Sequence, residues 1–476
     1  MPKRFRTRNV ILVYLAVLAL LLALGCSTKQ EPAEVLELCG NHSCGELVMV
    51  TVDTSSDGYQ YLDPAISPDG MQIAFTADWS VIPSVPDYDG EPILDRQILL
   101  LPVPDDLWSD ALKTRRPVPS IQMLGGELVR LETFQSLVRR PNNPIPVNAL
   151  DITKGNPVWL TENQLLIKAR FSRRDRFLVV NVANPSSCPS RVLFYESDDL
   201  LTTGGFIWYH DDPAISPDGR WLAYTRFGCD ADPNFEDANC TGESIWVLDM
   251  WTASAPEDTN AIVTFPVTSA SAGISGPTWS PDGRTIAFSS TTDLVGDFGG
   301  TKTEIFRVDF DPGEAAGGAV ALDSNLQRLT FTEVSEGDPI VGLQNYSPVF
   351  DAGGNEIYFV SSRRTPGSTL RIRSLWRVPS DGRLEPALLF FSRYDDVDPA
   401  INRQTGDLLL CSRMGFPSSQ LDAIEAQTID FLTNVYNDTA SIPLTEVEIQ
   451  RRASDEREEL QFFEDVMSQL YMFRGF

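Results

Sequence analysis

The chain has 476 residues, of which 66 are acidic, 38 are basic and 2 are histidine, so its formal net charge is -28. A surface this negative repels phosphate backbones, and nucleic acid is therefore not expected as a partner. The two histidines provide too little material for histidine-rich metal sites and for most acid–base schemes that use histidine.

The first 25 residues are expected to be an export signal. Basic residues precede the apolar run Val10–Leu24, and Gly25 and Cys26 follow it. The run is at the short limit for a membrane span and has the flanks of a signal peptide. Because it ends on cysteine rather than on Ala-x-Ala, it resembles a lipoprotein signal in which Cys26 is lipidated, although Ala23 and Leu24 invert the common order. The alternative is an uncleaved anchor with an incidental cysteine, and both interpretations place the protein outside the cytoplasm.

Residues 26–45 are expected to form a polar tether that contains a cysteine pair. Cys39 and Cys44 are close in sequence, and Cys229 and Cys240 bracket an acidic loop, so each pair can form a local disulfide. This usage agrees with export. Cys411 follows an apolar run and is expected to be a small buried hydrophobic residue. No metal is expected at the first pair, because the histidine between the two cysteines provides only a third local ligand.

One phrase returns along residues 46–442. Its best copy begins at Asp212, reads Asp-Pro-Ala-Ile-Ser-Pro-Asp-Gly, and precedes the apolar run Trp221–Tyr224. Pro217 fixes φ at the first corner of a turn, Asp218 can accept a bond from the backbone that follows it, and Gly219 accepts a positive φ. The phrase therefore predicts a β-hairpin.

Six copies of the phrase occur. They are recognised by their first prolines: Pro64, Pro157, Pro213, Pro277, Pro348 and Pro399. Third strands are expected at 97–103, 177–182, 244–249, 304–309 and 374–379, and fourth strands at 192–195, 261–265, 327–330 and 386–391. Repeats of this length, with four strands each, are typical of β-propellers. The predicted fold is an all-β, six-bladed propeller in which a strand over residues 46–53 completes the sixth blade, because closed propellers avoid open sheet edges.

The phrase D-P-A-I-S-P-D-G-x-x-I-A-F resembles the repeat of TolB-like β-propellers, which are related to WD-type repeats and also occur in prolyl peptidases. The resemblance covers roughly residues 46–435, and three of the six copies are close. It implies a rigid disc suited to hold another envelope protein or a glycan. The N-terminal α/β domain of TolB has no counterpart before the first repeat. Resemblance to Gram-negative lipoproteins, with Ser27 after Cys26, implies the periplasmic face of the outer membrane.

Carboxylates recur in front of the innermost strands. Asp63, Asp212 and Asp398 occupy the same repeat position, so they are expected to ring one mouth of the central channel and to receive a cation or a basic peptide. The alternative is that they cap local backbone amides at the turns of the blades. His210, beside Asp211, is grouped with these channel-mouth candidates, although it also fits the edge of an inner strand.

An acidic loop follows the third hairpin. Asp230, Asp232 and Asn234 give it the oxygen density of a calcium site, but Phe235 stands where an EF-hand loop needs glycine. Calcium is therefore a weak candidate at this loop. No other cofactor is expected.

The pattern changes from residue 443 to residue 476. Thr445 and Glu448 make a capping box, and the apolar residues Leu460, Phe463, Met467 and Leu470 recur at helical spacing. The spacing predicts an amphipathic helix over 445–472, whose apolar stripe packs on the propeller or docks on a partner.

Catalysis is not expected. The chain contains no G-x-S-x-G motif, and the segment after the repeats is too short for the hydrolase domain of prolyl peptidases. The predicted function is a lipid-anchored, non-catalytic scaffold that binds an envelope protein. Two alternatives stay open: a carbohydrate-binding or carbohydrate-active propeller, and a peptide-binding propeller derived from a peptidase. Trp159, Trp221 and Trp279 fall at repeat positions and are expected in the core rather than in a sugar groove.

Overall fold

A computed structural model of the chain describes residues 46–50, 59–79, 95–102, 154–171, 174–182, 191–192, 206–230, 240–251, 263–296, 302–318, 320–332, 344–363, 373–390, 397–412, 418–436, 443–461 and 469–474. Several predicted features lie outside these residues, namely the signal and tether with Cys26, Cys39 and Cys44, the calcium-loop residues Asp232 and Asn234, and the helix residues Phe463 and Met467.

The described chain is mostly β-structure, arranged in antiparallel sheets that we number one to six in chain order. Sheet one contains β2 (Tyr59–Ile66), β3 (Gln72–Trp79) and β4 (Asp95–Pro102). Sheet two contains β5 (Lys154–Thr161), β6 (Gln164–Phe171), β7 (Arg174–Asn181) and β8 (Arg191–Val192). Sheet three contains β9 (Phe206–Ile215), β10 (Trp221–Asp230), β11 (Ser244–Asp249) and β12 (Thr264–Pro266).

Sheet four contains β13 (Ser275–Trp279), β14 (Thr285–Ser290), β15 (Glu304–Asp309) and β16 (Gln327–Arg328). Sheet five contains β17 (Asn345–Phe350), β18 (Glu356–Ser361), β19 (Ser374–Pro379) and β20 (Ala387–Phe390). Sheet six contains β21 (Val397–Ile401), β22 (Leu408–Ser412), β23 (Gln469–Arg474) and β1 (Glu46–Met49). The helices are α1 (Pro312–Ala316), α2 (Ser418–Phe431), a π-helical turn (Leu432–Tyr436) and α3 (Glu446–Gln461).

Every copy of the repeated phrase forms the predicted hairpin, since the first two strands of each sheet pair antiparallel. The third strands of sheets three, four and five have the predicted bounds. In the turn of sheet three, the Ser216 hydroxyl donates to Asp218 and accepts from the amide of Trp221 at 2.8 Å. The Asp218 carboxylate accepts from the amide of Arg220 at 3.1 Å. Gly219 has φ 72, which a side chain would resist. The turn therefore satisfies its own polar groups.

The sheets pack face to face in chain order. The first strand of each sheet contacts the first strand of the next, and β21 of sheet six contacts β2 of sheet one. Between sheets three and four, Trp221 and Trp279 both pack edge-on against Phe310, with ring centroids 5.4 Å and 5.0 Å apart. The indole nitrogen of Trp279 also donates to the carbonyl of Ala214 in sheet three at 3.0 Å. The repeat tryptophans are therefore buried in packing, as expected.

Sheet six is assembled from both ends of the described chain, in the order β1, β23, β22, β21. The prediction that residues 46–53 form a strand that completes the sixth sheet is confirmed for Glu46–Met49, but this strand pairs with β23 and not directly with the strands at Pro399. The prediction of one helix over 445–472 is wrong, because helix α3 ends at Gln461 and Leu470 lies in β23. Leu470 is fully buried in the core of sheets one and six, so it does not face a partner.

Helix α2, the π-helical turn and helix α3 form an insertion between the second and third strands of sheet six. Helix α2 packs against α3, and Ile449 and Ala453 of α3 are buried. The amide of Glu448 in the first turn of α3 donates to the Thr445 hydroxyl at 3.3 Å, which is one half of the predicted capping box. Within the described residues, no helix is both long enough and apolar enough to cross a membrane.

One carboxylate is buried between sheets four and five. The side chain of Glu304 is inaccessible and accepts bonds from the Arg328 guanidinium, the Asn345 amide group and the hydroxyls of Thr330 and Thr332. The Thr332 amide donates to it as well, at 2.9 Å. We call these residues the Glu304 cluster. Both carboxylate oxygens are bonded several times, so the cluster links the two sheets.

Candidate functional site

The residue before the first proline has the same unusual backbone in all six sheets. We call these six residues the inner ring; their φ values are 49 for Asp63, 48 for Asn156, 47 for Asp212, 61 for Gly276, 49 for Ser347 and 51 for Asp398. Left-handed φ is uncommon outside glycine and is tolerated best by aspartate and asparagine. In each sheet the pairing register shifts at this point. Such bulges redirect a side chain.

The inner ring lies at a cavity of about 890 Å³ that is lined by residues from all six sheets. Beyond the ring, the walls are formed by the six repeat prolines and the small residues after them, such as Ala65, Val158 and Ala214. The mouth is formed by the hairpin turns, including Asp218 and Gln404. The cavity therefore runs from a polar floor through apolar walls to a polar mouth.

The ring carboxylates bridge neighbouring sheets. The Gly276 amide of sheet four donates to Asp212 of sheet three at 3.0 Å, and the side-chain amide of Asn156 in sheet two donates to it at 3.2 Å. The Asp63 amide of sheet one donates to Asp398 of sheet six at 3.4 Å. Asp63 accepts the Thr76 hydroxyl at 3.1 Å. Asp212 and Asp398 therefore accept backbone amides of neighbouring sheets rather than the local turn amides that were considered for them.

Two of the ring carboxylates, Asp212 and Asp398, are buried with few compensating groups. Burial, followed by the neighbouring charge of Asp211, raises the pKa of Asp212 from 3.8 to about 7, against the opposing effects of the Gly276 amide and Lys168. Burial also raises the pKa of Asp398, although the Asp63 amide and Arg373 oppose it. The ammonium of Lys168 lies 2.5 Å from the Asp211 carboxylate, so its direct ion pair is with Asp211. A cationic ligand group at the ring would stabilise the ionised form of Asp212.

Arg403 is a cavity residue that the sequence did not reveal. It occupies the turn position that holds proline in the three close copies, Pro68, Pro217 and Pro281. Its exposed side chain extends from sheet six to the carbonyl of Trp279 in sheet four, where Nη2 donates at 3.4 Å. Of the described residues that line the cavity, Arg403 alone is basic. Comparing the six copies at this turn position would have singled it out.

His210 does not join the inner ring. It is 2% exposed and lies between the rings of Phe177 and Tyr224, with centroids 6.1 Å and 5.4 Å away. Its grouping with the channel-mouth candidates is therefore wrong. The bulge at Asp212 is the reason, since it breaks the alternation that would otherwise place residues 210 and 212 on one face.

The remaining candidates fall into two groups. Cys229 and Cys240 form the predicted disulfide, and Cys411 is a buried free thiol whose pKa is raised by burial, as expected for a core position. Of the calcium candidates, Asp230 ends β10 and the others lie outside the described residues. In the ranges that are described, no three His, Cys, Asp or Glu side chains are grouped so that they could hold a metal ion.

No model of a known protein family matches this chain, and no curated protein is significantly similar to it in sequence. Solved structures with a similar fold include TolB from Acinetobacter baumannii, with 13% identity, 75% of this chain and 61% of that chain covered, and a TM-score of 0.35. A puromycin-hydrolysing peptidase of Mycobacterium tuberculosis has 14% identity and a TM-score of 0.43, with 78% of this chain and 46% of that chain covered. Oligogalacturonate lyase from Vibrio parahaemolyticus has 12% identity and a TM-score of 0.40, with 90% of this chain and 98% of that chain covered.

These similarities concern the fold alone. The chain spans less than two thirds of the length of the TolB and peptidase chains just named. Function must therefore be argued from the site.

Proposed function

We propose that the six sheets are the blades of a TolB-like β-propeller and that the protein is a non-catalytic scaffold whose central cavity binds a positively charged segment of a partner. One observation carries this proposal: three aspartates at equivalent positions meet a cavity of about 890 Å³. The cavity is large enough for an extended peptide segment, and no ammonium or guanidinium of the described residues contacts Asp212 directly. A cation from a partner would supply that missing compensation.

We further propose that the partner belongs to the cell envelope and that the chain is held there by a lipid on Cys26. The support is the order of charged, apolar and cysteine residues over positions 1–26. Replacing Cys26→Ser should abolish labelling by a radioactive or clickable fatty acid and release the protein from membranes. Labelling that survives the substitution would contradict the anchor but not the scaffold.

Photo-crosslinking tests where a partner binds. A benzophenone amino acid is placed at Gln404, an exposed residue of the cavity mouth, and in a second variant at Arg383, an exposed residue outside the cavity lining. We expect a discrete adduct from Gln404 only, reduced at least tenfold by Asp212→Asn. Asp381→Asn, which changes the charge equally at an exposed position outside the lining, should leave the adduct intact. Equal adducts with and without Asp212→Asn would contradict a role for the ring.

The helical insertion is a second place where a partner could dock, and the fold dictates how to remove it. Ending the chain before Pro443 would delete β23 from the middle of sheet six. Ser412 and Gln469 are paired opposite each other at the ends of β22 and β23. An Asn-Gly turn can therefore replace residues 413–468 and leave sheet six complete. An adduct that survives this replacement depends on the cavity, whereas loss of the adduct would place the docking surface on the helices.

A glycan array on the same variants addresses the carbohydrate alternative. We expect that any glycan retained by the parent is retained equally by Asp212→Asn, because neutral sugars do not need a carboxylate ring. Retention of a glycan by the parent and not by the variant would favour a carbohydrate-binding function instead.

A further inference from the structure

A group of cations lies beside the Glu304 cluster, at the ends of sheets four and five that are remote from the cavity mouth. Glu304, the first residue of β15, is opposite the last residue of β14, and Asn345, the first residue of β17, is opposite the last residue of β18. The hairpin turns that form the mouth join the other ends of these strands. The Glu304 cluster does not line the cavity, so this is a separate place in the fold.

The charges that meet at Thr332 are not all paired. The ammonium of Lys302 donates to the Thr332 carbonyl at 2.6 Å, and the guanidinium of Arg363 donates to the Thr332 hydroxyl at 3.1 Å. A third cation, Arg328, pairs with Glu304. Glu304 already accepts five bonds, which exceeds the roughly four lone-pair positions of a carboxylate. Among the residues that the structure describes, no carboxylate forms an ion pair with Lys302 or Arg363.

Two buried donors next to these cations also have no acceptor among the described residues. They are Nε of Arg363 and the indole nitrogen of Trp376, whose side chain belongs to a residue that is 8% exposed. The guanidinium carbon of Arg363 lies 5.7 Å from the centre of the Trp376 ring, so the two groups are neighbours. Nη1 of Arg363 is not among the buried atoms. Because buried donors are normally matched by acceptors, this place has donors to spare and an accessible edge through which an acceptor can reach them.

The balance of charge indicates how much negative charge is missing. Burial is the main cause that lowers the pKa of Arg363, and the charge of Arg328 adds to it, whereas the carboxylates Glu304 and Glu385 oppose it. With Lys302 included, three cations therefore face two carboxylates, one of which, Glu385, is exposed. One further carboxylate restores neutrality, and the planar fork of a guanidinium can hold it with two parallel bonds.

Phe331 provides an apolar surface next to this charge. It is 42% exposed, and its ring lies over the guanidinium of Arg328, with the guanidinium carbon 4.5 Å from the ring centre. It directly precedes Thr332, the residue that Lys302 and Arg363 both contact. An apolar group that adjoins a bound carboxylate would therefore remove part of this ring from water.

We propose that Arg363 and Lys302 bind the carboxylate of a ligand and that Phe331 packs against an apolar group next to that carboxylate. The ligand is thus an apolar carboxylic acid, and its carboxylate replaces the ion pair that Arg363 lacks. The site does not share residues with the cavity, so it goes beyond the proposed function and does not depend on it.

Protection from an arginine reagent tests the site at one residue. The full chain is labelled with phenylglyoxal, and mass spectrometry follows the labelling rate of each arginine. The probe is N-acetylphenylalanine, and its uncharged amide is the matched control. We expect the acid at saturation to slow the labelling of Arg363 about tenfold and the amide to change it by less than about twofold. Arg383, an exposed arginine paired with Asp381, should be labelled equally under all conditions.

Variants then test the other two contacts. Lys302→Gln should raise the concentration of acid needed for half-protection about tenfold, whereas Arg383→Gln, which removes the same charge at an exposed position, should leave it unchanged. Phe331→Ala should raise it severalfold, and Leu384→Ala, at another exposed apolar side chain, should not. Asp212→Asn should have no effect on the protection of Arg363.

The outcomes that overturn the proposal are specific. If Arg363 is not labelled in the absence of the acid, the site is closed, and if acid and amide protect it equally, no carboxylate is recognised. Inorganic phosphate that protects at a lower concentration than the acid would contradict the assignment of a carboxylate. Protection that Asp212→Asn abolishes would place the acid in the cavity. Thermal unfolding of each variant establishes that the fold is retained, and Lys302→Arg, which keeps the charge, should keep the protection.

Discussion

Two carboxylates with low solvent access, Glu304 and Asp212, show how differently one fold can treat the same chemical group. Glu304 accepts five bonds, one from the Arg328 guanidinium, between sheets four and five. Asp212 accepts one backbone amide and one side-chain amide, and a second carboxylate, Asp211, precedes it. The first arrangement is complete without a ligand, whereas the second becomes better compensated when a cation enters. Substitutions at the two sites should therefore separate stability from binding.

The largest expected loss of stability is at Glu304. Glu304→Ala removes one partner of a buried ion pair and leaves Arg328 and four polar donors without their acceptor. We expect the free energy of unfolding to fall by about 3–5 kcal/mol. Urea denaturation measures it, with Glu446→Ala in the exposed first turn of α3 as the control that should change it by less than about 0.5 kcal/mol. A loss at Glu304 as small as the control would mean that the cluster does not link the sheets.

A smaller loss is expected from Thr332→Val, which keeps the shape of the side chain. The Thr332 hydroxyl donates to Glu304 and accepts from the Arg363 guanidinium at 3.1 Å and from the Asn345 side-chain amide at 2.8 Å, and all three bonds disappear. The backbone amide of residue 332 still reaches Glu304, so the free energy of unfolding should fall by roughly 1–2 kcal/mol. Thr433→Val, at an exposed helical position, is the control. Equal effects at the two threonines would contradict the assigned bonds.

The clearest contrast with Glu304 is expected at Asp212, where a substitution should change how the free energy of unfolding depends on pH. Its pKa is raised from 3.8 to about 7 in the fold, so the folded state holds more protons than the unfolded state between about pH 4 and pH 7. The contribution of this group to the free energy of unfolding therefore decreases as the pH rises through that window and stays low above it. Asp212→Asn removes this decrease. The free energy of unfolding of the variant minus that of the parent should therefore be larger at pH 8 than at pH 4.5.

Urea denaturation at pH 4.5, 6 and 8 tests this dependence, and only the difference between parent and variant is interpreted, because other carboxylates titrate in both. Asp381→Asn, at an exposed position, should give a difference that varies less with pH. If the difference for Asp212→Asn is constant across the three pH values, the pKa of the Asp212 carboxyl is not raised by burial.

Much of the fold could be read from the sequence, because each hairpin carries its own turn chemistry. The turn at Ser216–Gly219 bonds as its residue types require, and the third strands are marked by apolar runs of the right length. The shared position of Asp63, Asp212 and Asp398 was also legible as a candidate ring. Their left-handed backbone was not, since each precedes a proline and no local pattern marks the bulge.

The C-terminal strand was missed for a different reason. Residues Leu470, Tyr471, Met472 and Phe473 are all buried, because β23 lies inside sheet six with neighbours on both edges and both faces. Such a strand shows no alternation, and a short apolar run does not distinguish strand from helix. Arg403 was missed because its partner is Trp279, 124 positions away in sequence, and only the folded chain places them together.

The pairing of β1 with β23 also has a consequence for biosynthesis. Strand β1 precedes the other described strands in the chain, yet its neighbour, residues 469–474, follows all of them. A chain arrested after Ser412 but before Gln469 exposes two unpaired edges, those of β1 and β22, which invite aggregation and proteolysis. Completion of sheet six thus serves as a check on length: only a chain translated through Arg474 can hide its first strand, and interrupted products remain visible to quality control.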